Sequence, residues 1–306
     1  MARLPRTLVT YAVALVLPSL HVIPATAVAQ SSPRDRLLVT TEWVTQHLQD
    51  PDLVILHVGN ASDYAQEHIP GALFANLREG LSSPSSHSEG ALVLEMPDSA
   101  LLQTTLRAMG VGERGTILVY WGSEWVTPTA RAMHTLLWGG LGDRTVLLDG
   151  GLGAWKAAGG AVTADVPTPT PGDVVVHPQP ARVVSAEWVQ AHAATPGYRL
   201  LDARAASFYD GVREDQGKAG HIPGAGSLPW TNLVDEQVRF KSAADLRALF
   251  DAADVKPGDT VVAYCHIGQY ATAVLLAART LGHEVMLYDG AFQDWATRGL
   301  PVATSP

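Results

Sequence analysis

A series of short blocks occurs twice along this 306-residue chain, in one order, and that duplication constrains the fold before any other feature does. Thr41-Glu42-Trp43-Val44 returns as Ala186-Glu187-Trp188-Val189, and His68-Ile69-Pro70-Gly71-Ala72 as His221-Ile222-Pro223-Gly224-Ala225. The apolar run Leu53-Val54-Ile55-Leu56-His57 is matched by Arg199-Leu200-Leu201-Asp202, and Thr116-Ile117-Leu118-Val119-Tyr120 by Thr260-Val261-Val262-Ala263-Tyr264. Leu141-Gly142 and Leu148-Asp149-Gly150 correspond to Leu281-Gly282 and Tyr288-Asp289-Gly290, and Trp155 to Trp295. A period this long marks a duplicated domain, since solenoid repeats recur about every 20–50 residues. Residues 162–182 hold Pro167, Pro169, Pro171, Pro178 and Pro180 with interleaved threonines, the composition of a stiff, extended linker. The expected division is a leader at 1–29, a first domain at 36–161, this linker, and a second domain at 183–304. A Ser-rich stretch at 79–97 reads as a surface loop.

Within each half, short apolar strands alternate with helical patterns. Ala271, Val274, Leu275, Ala278 and Leu281 recur at helical spacing and define a buried face, followed by another short strand at Val285–Tyr288. Such alternation predicts an α/β domain with a mainly parallel sheet. In these sheets ligands sit beyond the carboxyl ends of the strands.

The only cysteine of the chain, Cys265, follows the strand ending at Tyr264 and precedes the helix that begins near Ala271. At such a turn, unpaired N–H groups and the positive end of the helix dipole favour an anion and lower a thiol pKa. A buried cysteine can also be a small hydrophobe; the strand–loop–helix setting and Gly268 inside the loop favour the reactive reading.

The N-terminus has the order of a secretory signal. Arg3 and Arg6 precede the apolar residues 8–22, and Ala25-Thr26-Ala27 and Ala27-Val28-Ala29 offer small-residue cleavage sites. Cleavage is expected after Ala29, with Ala27 as the second choice. Pro18 and Pro24 interrupt the stretch, which is short for a membrane span. The mature chain would be exported, and periplasmic where an outer membrane exists. A lone thiol in an exported chain points to a reactive cysteine or an intermolecular partner. The formal net charge is −9, more negative still without Arg3 and Arg6, and there are no basic runs. This argues against nucleic acid or an anionic membrane as partner, and leaves open a small anion held by a local pocket.

From about residue 38 onward the chain resembles the tandem two-domain rhodanese family of sulfurtransferases. The resemblance is carried by the two His-Ile-Pro-Gly-Ala blocks, the Asp149-Gly150 and Asp289-Gly290 ends followed by Trp155 and Trp295, and Cys-x-x-Gly-x-x-Ala at Cys265. It implies two tandem rhodanese-like domains, each a mainly parallel sheet flanked by helices, with a catalytic second domain and a catalytically silent first. Trp121 stands where the second half has Cys265, in a longer loop without a thiol.

The resemblance further implies that Cys265 takes sulfur from a donor such as thiosulfate, forms a persulfide and passes the sulfur to cyanide or a thiol. No cofactor or metal is required. Covalent catalysis divides one transfer into two displacements. The loop residues His266, Ile267, Gly268, Gln269, Tyr270 and Ala271 are expected to curl so that N–H groups converge on the persulfide, with Gly268 permitting the curl. His266 has two readings, a charge or hydrogen bond beside the sulfur, or a surface residue. Arg204, in Asp202-Ala203-Arg204, is expected to bind the donor anion, with an ion pair to Asp202 as the alternative.

Thiosulfate-preferring members resemble Cys-Arg-Lys-Gly-Val-Thr, and mercaptopyruvate-preferring ones Cys-Gly-Ser-Gly-Val-Thr. This loop matches neither, so thiosulfate is the first expectation and 3-mercaptopyruvate the alternative. A further arginine that some mercaptopyruvate enzymes carry in a Phe-Arg-Gly segment is absent from Phe208-Tyr209-Asp210-Gly211, which weakens the second donor. Lys218 lies in an insertion before His221 and reads as solvated. His68 and His221 occur in both halves and read as structural turn residues. A metal site from Cys265, His266 and His221 has no ligand-spacing motif.

Phosphatase or arsenate reductase chemistry needs an arginine six positions after the cysteine. Ala271 stands there, which argues against such chemistry. The remaining rival is a non-enzymatic sulfur carrier or partner-binding module.

Overall fold

The computed structural model describes residues 1–2, 32–84, 91–123 and 126–305. The leader read at 1–29 therefore lies, beyond its first two residues, outside the described residues, as does the middle of the Ser-rich loop. Among the described residues no helix is long and apolar enough to cross a membrane.

The first half comprises α1 (Pro33–Leu37), β1 (Leu38–Val39), α2 (Thr41–His47), β2 (Leu53–Val58), α3 (Ala61–Gln66), β3 (Leu73–Ala75), α4 (Ser99–Ala108), β4 (Thr116–Trp121), α5 (Val126–Trp138), β5 (Thr145–Leu148) and α6 (Gly151–Ala157). The second half repeats this plan. It contains β6 (Val183–Val184), α7 (Ala186–His192), β7 (Tyr198–Asp202), α8 (Ala206–Tyr209), β8 (Glu214–Asp215), β9 (Lys218–Ala219), β10 (Gly226–Ser227), α9 (Ala243–Ala252), β11 (Thr260–Tyr264), α10 (Gln269–Thr280), β12 (Val285–Tyr288) and α11 (Ala291–Thr297). Read from the same edge, the two five-stranded sheets run β1-β5-β4-β2-β3 and β6-β12-β11-β7-β10, one topology used twice. Every strand pair in both sheets is parallel. Among the described residues the second half adds the antiparallel ribbon β8–β9 and has no α-helix in the place of α1.

The central strands β4 and β11 are buried on both faces, which is why they read as unbroken Ile/Leu/Val runs rather than as alternating ones. Matching caps start matching helices. The hydroxyls of Thr40 and Ser185 accept from the N–H groups of Trp43 and Trp188 at the starts of α2 and α7. On the outer face of each sheet, Trp155 and Trp295 are buried in the core. Their indole N–H groups donate to the carbonyls of Ala161 and Pro301, each at 2.7 Å. His68 and His221 stack on Tyr64 and Tyr209, and each ring Nδ1 lies 2.7 Å from the carbonyl oxygen of that tyrosine. They close turns in both halves.

The inner faces of the two halves merge in one core, where α5 packs against α10; Ala130, Met133 and Leu136 of α5 and Ala273, Val274 and Ala277 of α10 all belong to it. A polar cluster sits at the edge of that contact. Fully buried Arg131 pairs with Asp289 at 2.6 Å, and the N–H of Met96 donates to the other Asp289 oxygen at 2.7 Å. Burial, and then the Asp289 charge, push the nearby Glu95 carboxyl up to about 7 against the opposing pull of Arg131.

Folding thus favours the protonated form of Glu95. That stabilisation is complete below the ordinary glutamate pKa and is lost as pH rises through about 7. Chemical denaturation should show stability falling by on the order of 1–2 kcal/mol between about pH 5 and pH 8, and Glu95→Gln should flatten that fall. The same slope in wild type and variant would contradict this assignment.

Candidate active site

β11 ends at Tyr264, and the chain must turn before α10 begins at Gln269. Gly268 makes the turn with φ +81°, in the left-handed region that glycine enters without strain. A β-carbon there would lie 2.9 Å from the Asp289 carbonyl oxygen and 3.0 Å from Nη1 of Arg131. The curl brings the backbone N–H groups of Ile267, Gly268, Tyr270 and Ala271 onto the Cys265 sulfur. This is a nest, in which otherwise unpaired N–H groups at a helix start form a concave donor surface. From the other side α11 supports the loop. The N–H of Phe292 donates to the Cys265 carbonyl at 2.9 Å, and that of Gln293 to the His266 carbonyl at 3.1 Å.

The sulfur has no exposed surface of its own. Cys265 forms part of the wall of a cavity of about 260 Å³, with His266, Ile267, Gln269 and Tyr270. The helix-start position predicts a depressed thiol pKa, and here the structure corrects the expectation. Burial pushes the Cys265 thiol up, and the four N–H donors pull it back only in part. Their dipoles replace less than the hydration that a buried thiolate loses.

The other sequence-derived residues divide by how they are placed. Ile267, Gly268, Tyr270 and Ala271 reach the sulfur through their backbone. Gln269 instead uses its side chain, whose amide donates to Oγ1 of fully buried Thr127 at 3.1 Å and ties the loop to the first half. His266 lines the cavity with 24% of its side chain exposed.

Arg204 is a correction. Its guanidinium is fully buried and committed to protein acceptors rather than open to a donor anion. Nε and Nη2 bind the Asp202 carboxylate at 2.7–3.2 Å, Nη2 also reaches the Gly220 carbonyl at 2.8 Å, and Nη1 meets Asp215 at 3.2 Å. Its carbon lies 3.8 Å from the Phe292 ring centroid. The reason is the pairing of β7 with β11, which sets Asp202 beside Tyr264, whose hydroxyl donates to it at 2.7 Å. The resulting buried carboxylate takes the nearest cation. Lys218, read as solvated, is half-buried, and its ammonium donates to the Leu300 carbonyl at 2.6 Å.

Sequence reasoning missed Asp215. It arrives on the β8–β9 ribbon and binds Nδ1 of His266 at 2.6 Å. The one available signal was the extra length between Asp202 and His221, compared with that between His57 and His68.

The first half shows the same scaffold without a thiol. His57 pairs in register with Tyr120 as Asp202 does with Tyr264. Burial holds His57 near 4, so it is neutral where the second half has a charge. Gly59 replaces Arg204, and buried Trp121 fills the cysteine position.

The packing around Gly268 leaves no room for a side chain. Gly268→Ala should lower stability by roughly 1–3 kcal/mol in denaturant titration, from the left-handed backbone and the two close contacts together. Wild-type stability would contradict the described contact with Asp289.

The rhodanese-like domain model matches residues 40–158 and 185–298. A Pseudomonas aeruginosa protein named "Probable 3-mercaptopyruvate sulfurtransferase" is 36% identical over 279 residues, spanning 87% of this chain and 98% of its own. SseB of Mycobacterium tuberculosis, which carries a thiosulfate sulfurtransferase name, is 31% identical over 83% of this chain and 86% of its own. The crystal structure of SseA from Escherichia coli, described as a 3-mercaptopyruvate sulfotransferase of rhodanese fold, superposes with a TM-score of 0.73 at 29% identity, covering 83% of this chain and 98% of that one. With two matched domains covering most of the chain, a relative this similar, and a lone cysteine in the family's loop, this protein belongs to the rhodanese family of sulfurtransferases.

Proposed function

We propose that the protein moves a sulfane sulfur from a small anionic donor such as thiosulfate to a thiophilic acceptor such as cyanide or a thiol, through a persulfide on Cys265. The observation that carries this reading is the ring of four N–H donors closed on one thiol in the wall of a cavity. In the first step the Cys265 sulfur attacks the outer sulfur of thiosulfate. A new S–S bond forms, the donor's own S–S bond breaks, and its electron pair leaves with sulfite, which takes the thiol proton. In the second step an acceptor attacks the outer sulfur and Cys265 departs as a thiolate. The N–H ring stabilises that leaving group, and a preorganised donor set costs no reorganisation as charge develops.

Among the described residues, those lining the cavity include no lysine or arginine. A thiosulfate dianion is therefore met by the N–H dipoles of the loop. The second reading, 3-mercaptopyruvate as donor, is favoured by the name of the 36% identical relative.

We also propose that the chain is exported, and periplasmic in a cell with an outer membrane, on the strength of Arg3, Arg6, the apolar residues 8–22 and the Ala27-Val28-Ala29 site. N-terminal sequencing of protein from its native host should find Gln30 first. A retained Met1 would overturn export by cleavage.

Steady-state transfer to cyanide, with thiosulfate and 3-mercaptopyruvate compared on wild type and Cys265→Ser, tests the activity. Wild type should turn over, with thiosulfate the better donor. The variant should fold and lose transfer by at least about 1,000-fold, because the covalent route is gone. Transfer that survives in the variant would refute the mechanism. A folded, reduced wild type that is inert with both donors would point to a carrier.

A further inference from the structure

His266 is held by a carboxylate that is itself held by a buried cation. Its Nδ1 lies 2.6 Å from Oδ2 of Asp215, and the same oxygen accepts from Arg204 at 3.2 Å. Burial pushes the Asp215 carboxyl up, but His266 and Arg204 together outweigh it and hold the group below the usual carboxylate range. Asp215 is thus ionised at neutral pH and only accepts, so Nδ1 of His266 carries the proton in this bond. In a neutral imidazole that leaves Nε2 as the acceptor. The ring stands edge-on to Phe208 at 4.7 Å and to Tyr270 at 5.8 Å, and it lines the cavity with Cys265. The charged and titratable groups around it are Asp215, Arg204 behind Asp215, Cys265, Tyr270, and Arg213 against the Phe208 ring. Among the described residues the first half has no ribbon like the one that brings Asp215, and Gly59 stands where the second half has Arg204.

We infer that Asp215 and His266 form an acid–base pair for the acceptor step: His266 takes the proton of an incoming thiol, and Asp215 is the residue that positions it. This rests on the persulfide reading above. The thiol S–H bond breaks and its proton passes to Nε2. The thiol sulfur bonds to the outer sulfur of the persulfide, which has been protonated from water. The bond from that sulfur to Cys265 breaks, and its electron pair stays on Cys265 as a thiolate among the four N–H donors. The imidazolium formed is stabilised by the adjacent Asp215 carboxylate and returns its proton to water. Arg204 keeps Asp215 ionised and in place. An acceptor that brings no proton has no use for the pair.

The test loads the full-length protein with sulfur from thiosulfate and follows single-turnover transfer to β-mercaptoethanol or to sulfite at about pH 8, where sulfite is largely the dianion. His266→Gln should slow transfer to the thiol by roughly 100-fold and Asp215→Asn by about tenfold, with sulfite transfer slowed less than about threefold in both. Raising the pH should restore thiol transfer in the variants, because the thiol then ionises unaided. His266→Gln leaves the Asp215–Arg204 contact intact and keeps the test valid if Asp215→Asn disturbs folding. Equal losses with both acceptors, or no loss with the thiol, would overturn the acid–base assignment. Wild type that never loads sulfur from thiosulfate or from 3-mercaptopyruvate would overturn the persulfide reading, and the pair with it.

Discussion

Four backbone N–H groups converge on a thiol that water does not reach, and the rest of the second half is arranged around that contact. It sets burial, which disfavours the thiolate, against aligned dipoles, which favour it. Neither the loop nor its glycine could hold this geometry alone. β11 fixes where the turn starts and α10 where it ends. α11 anchors the carbonyls of Cys265 and His266, and the first half supplies Thr127 and Arg131 against Gln269 and Gly268. The N–H dipoles are preorganised, so their electrostatic effect is available when the outer sulfur is taken by an acceptor and Cys265 is left as a thiolate.

Duplication gives both halves one scaffold and lets the side chains placed on it differ. Tyr120 and Tyr264 occupy the same place in the two sheets, and each hydroxyl accepts from the backbone N–H of the Ile that follows a conserved-in-both-halves histidine, at 3.0 Å. In the second half the tyrosine donates to Asp202, a charge that requires Arg204. In the first half the partner is His57, which burial keeps neutral, and no cation is needed. The first half nonetheless remains part of the site. Arg131 is buried against Asp289 and the Gly268 turn, so the first half bears directly on the loop that holds the Cys265 thiol.

Much of this was legible before any coordinates. The repeated blocks specify two equal domains, and the strand–Cys–Gly–helix order specifies a loop that gathers N–H groups. What was illegible was side-chain direction and long-range partnership. Asp202-Ala203-Arg204 shows that an acid and a base are close, but not that the guanidinium turns inward over Phe292. His266 and Asp215 are 51 residues apart, and no local pattern pairs them. The direction of the Cys265 shift was misread for a related reason: a helix start is visible in sequence, whereas the extent of burial is a property of the packed halves.

The central claim is that Cys265 carries sulfur covalently. Intact-protein and peptide mass spectrometry after brief exposure to thiosulfate, with excess donor removed and no acceptor present, tests it most directly. The account predicts a gain of one sulfur atom, confined to the peptide that contains Cys265 and released by cyanide. A protein that turns over thiosulfate while this peptide never gains sulfur would contradict it.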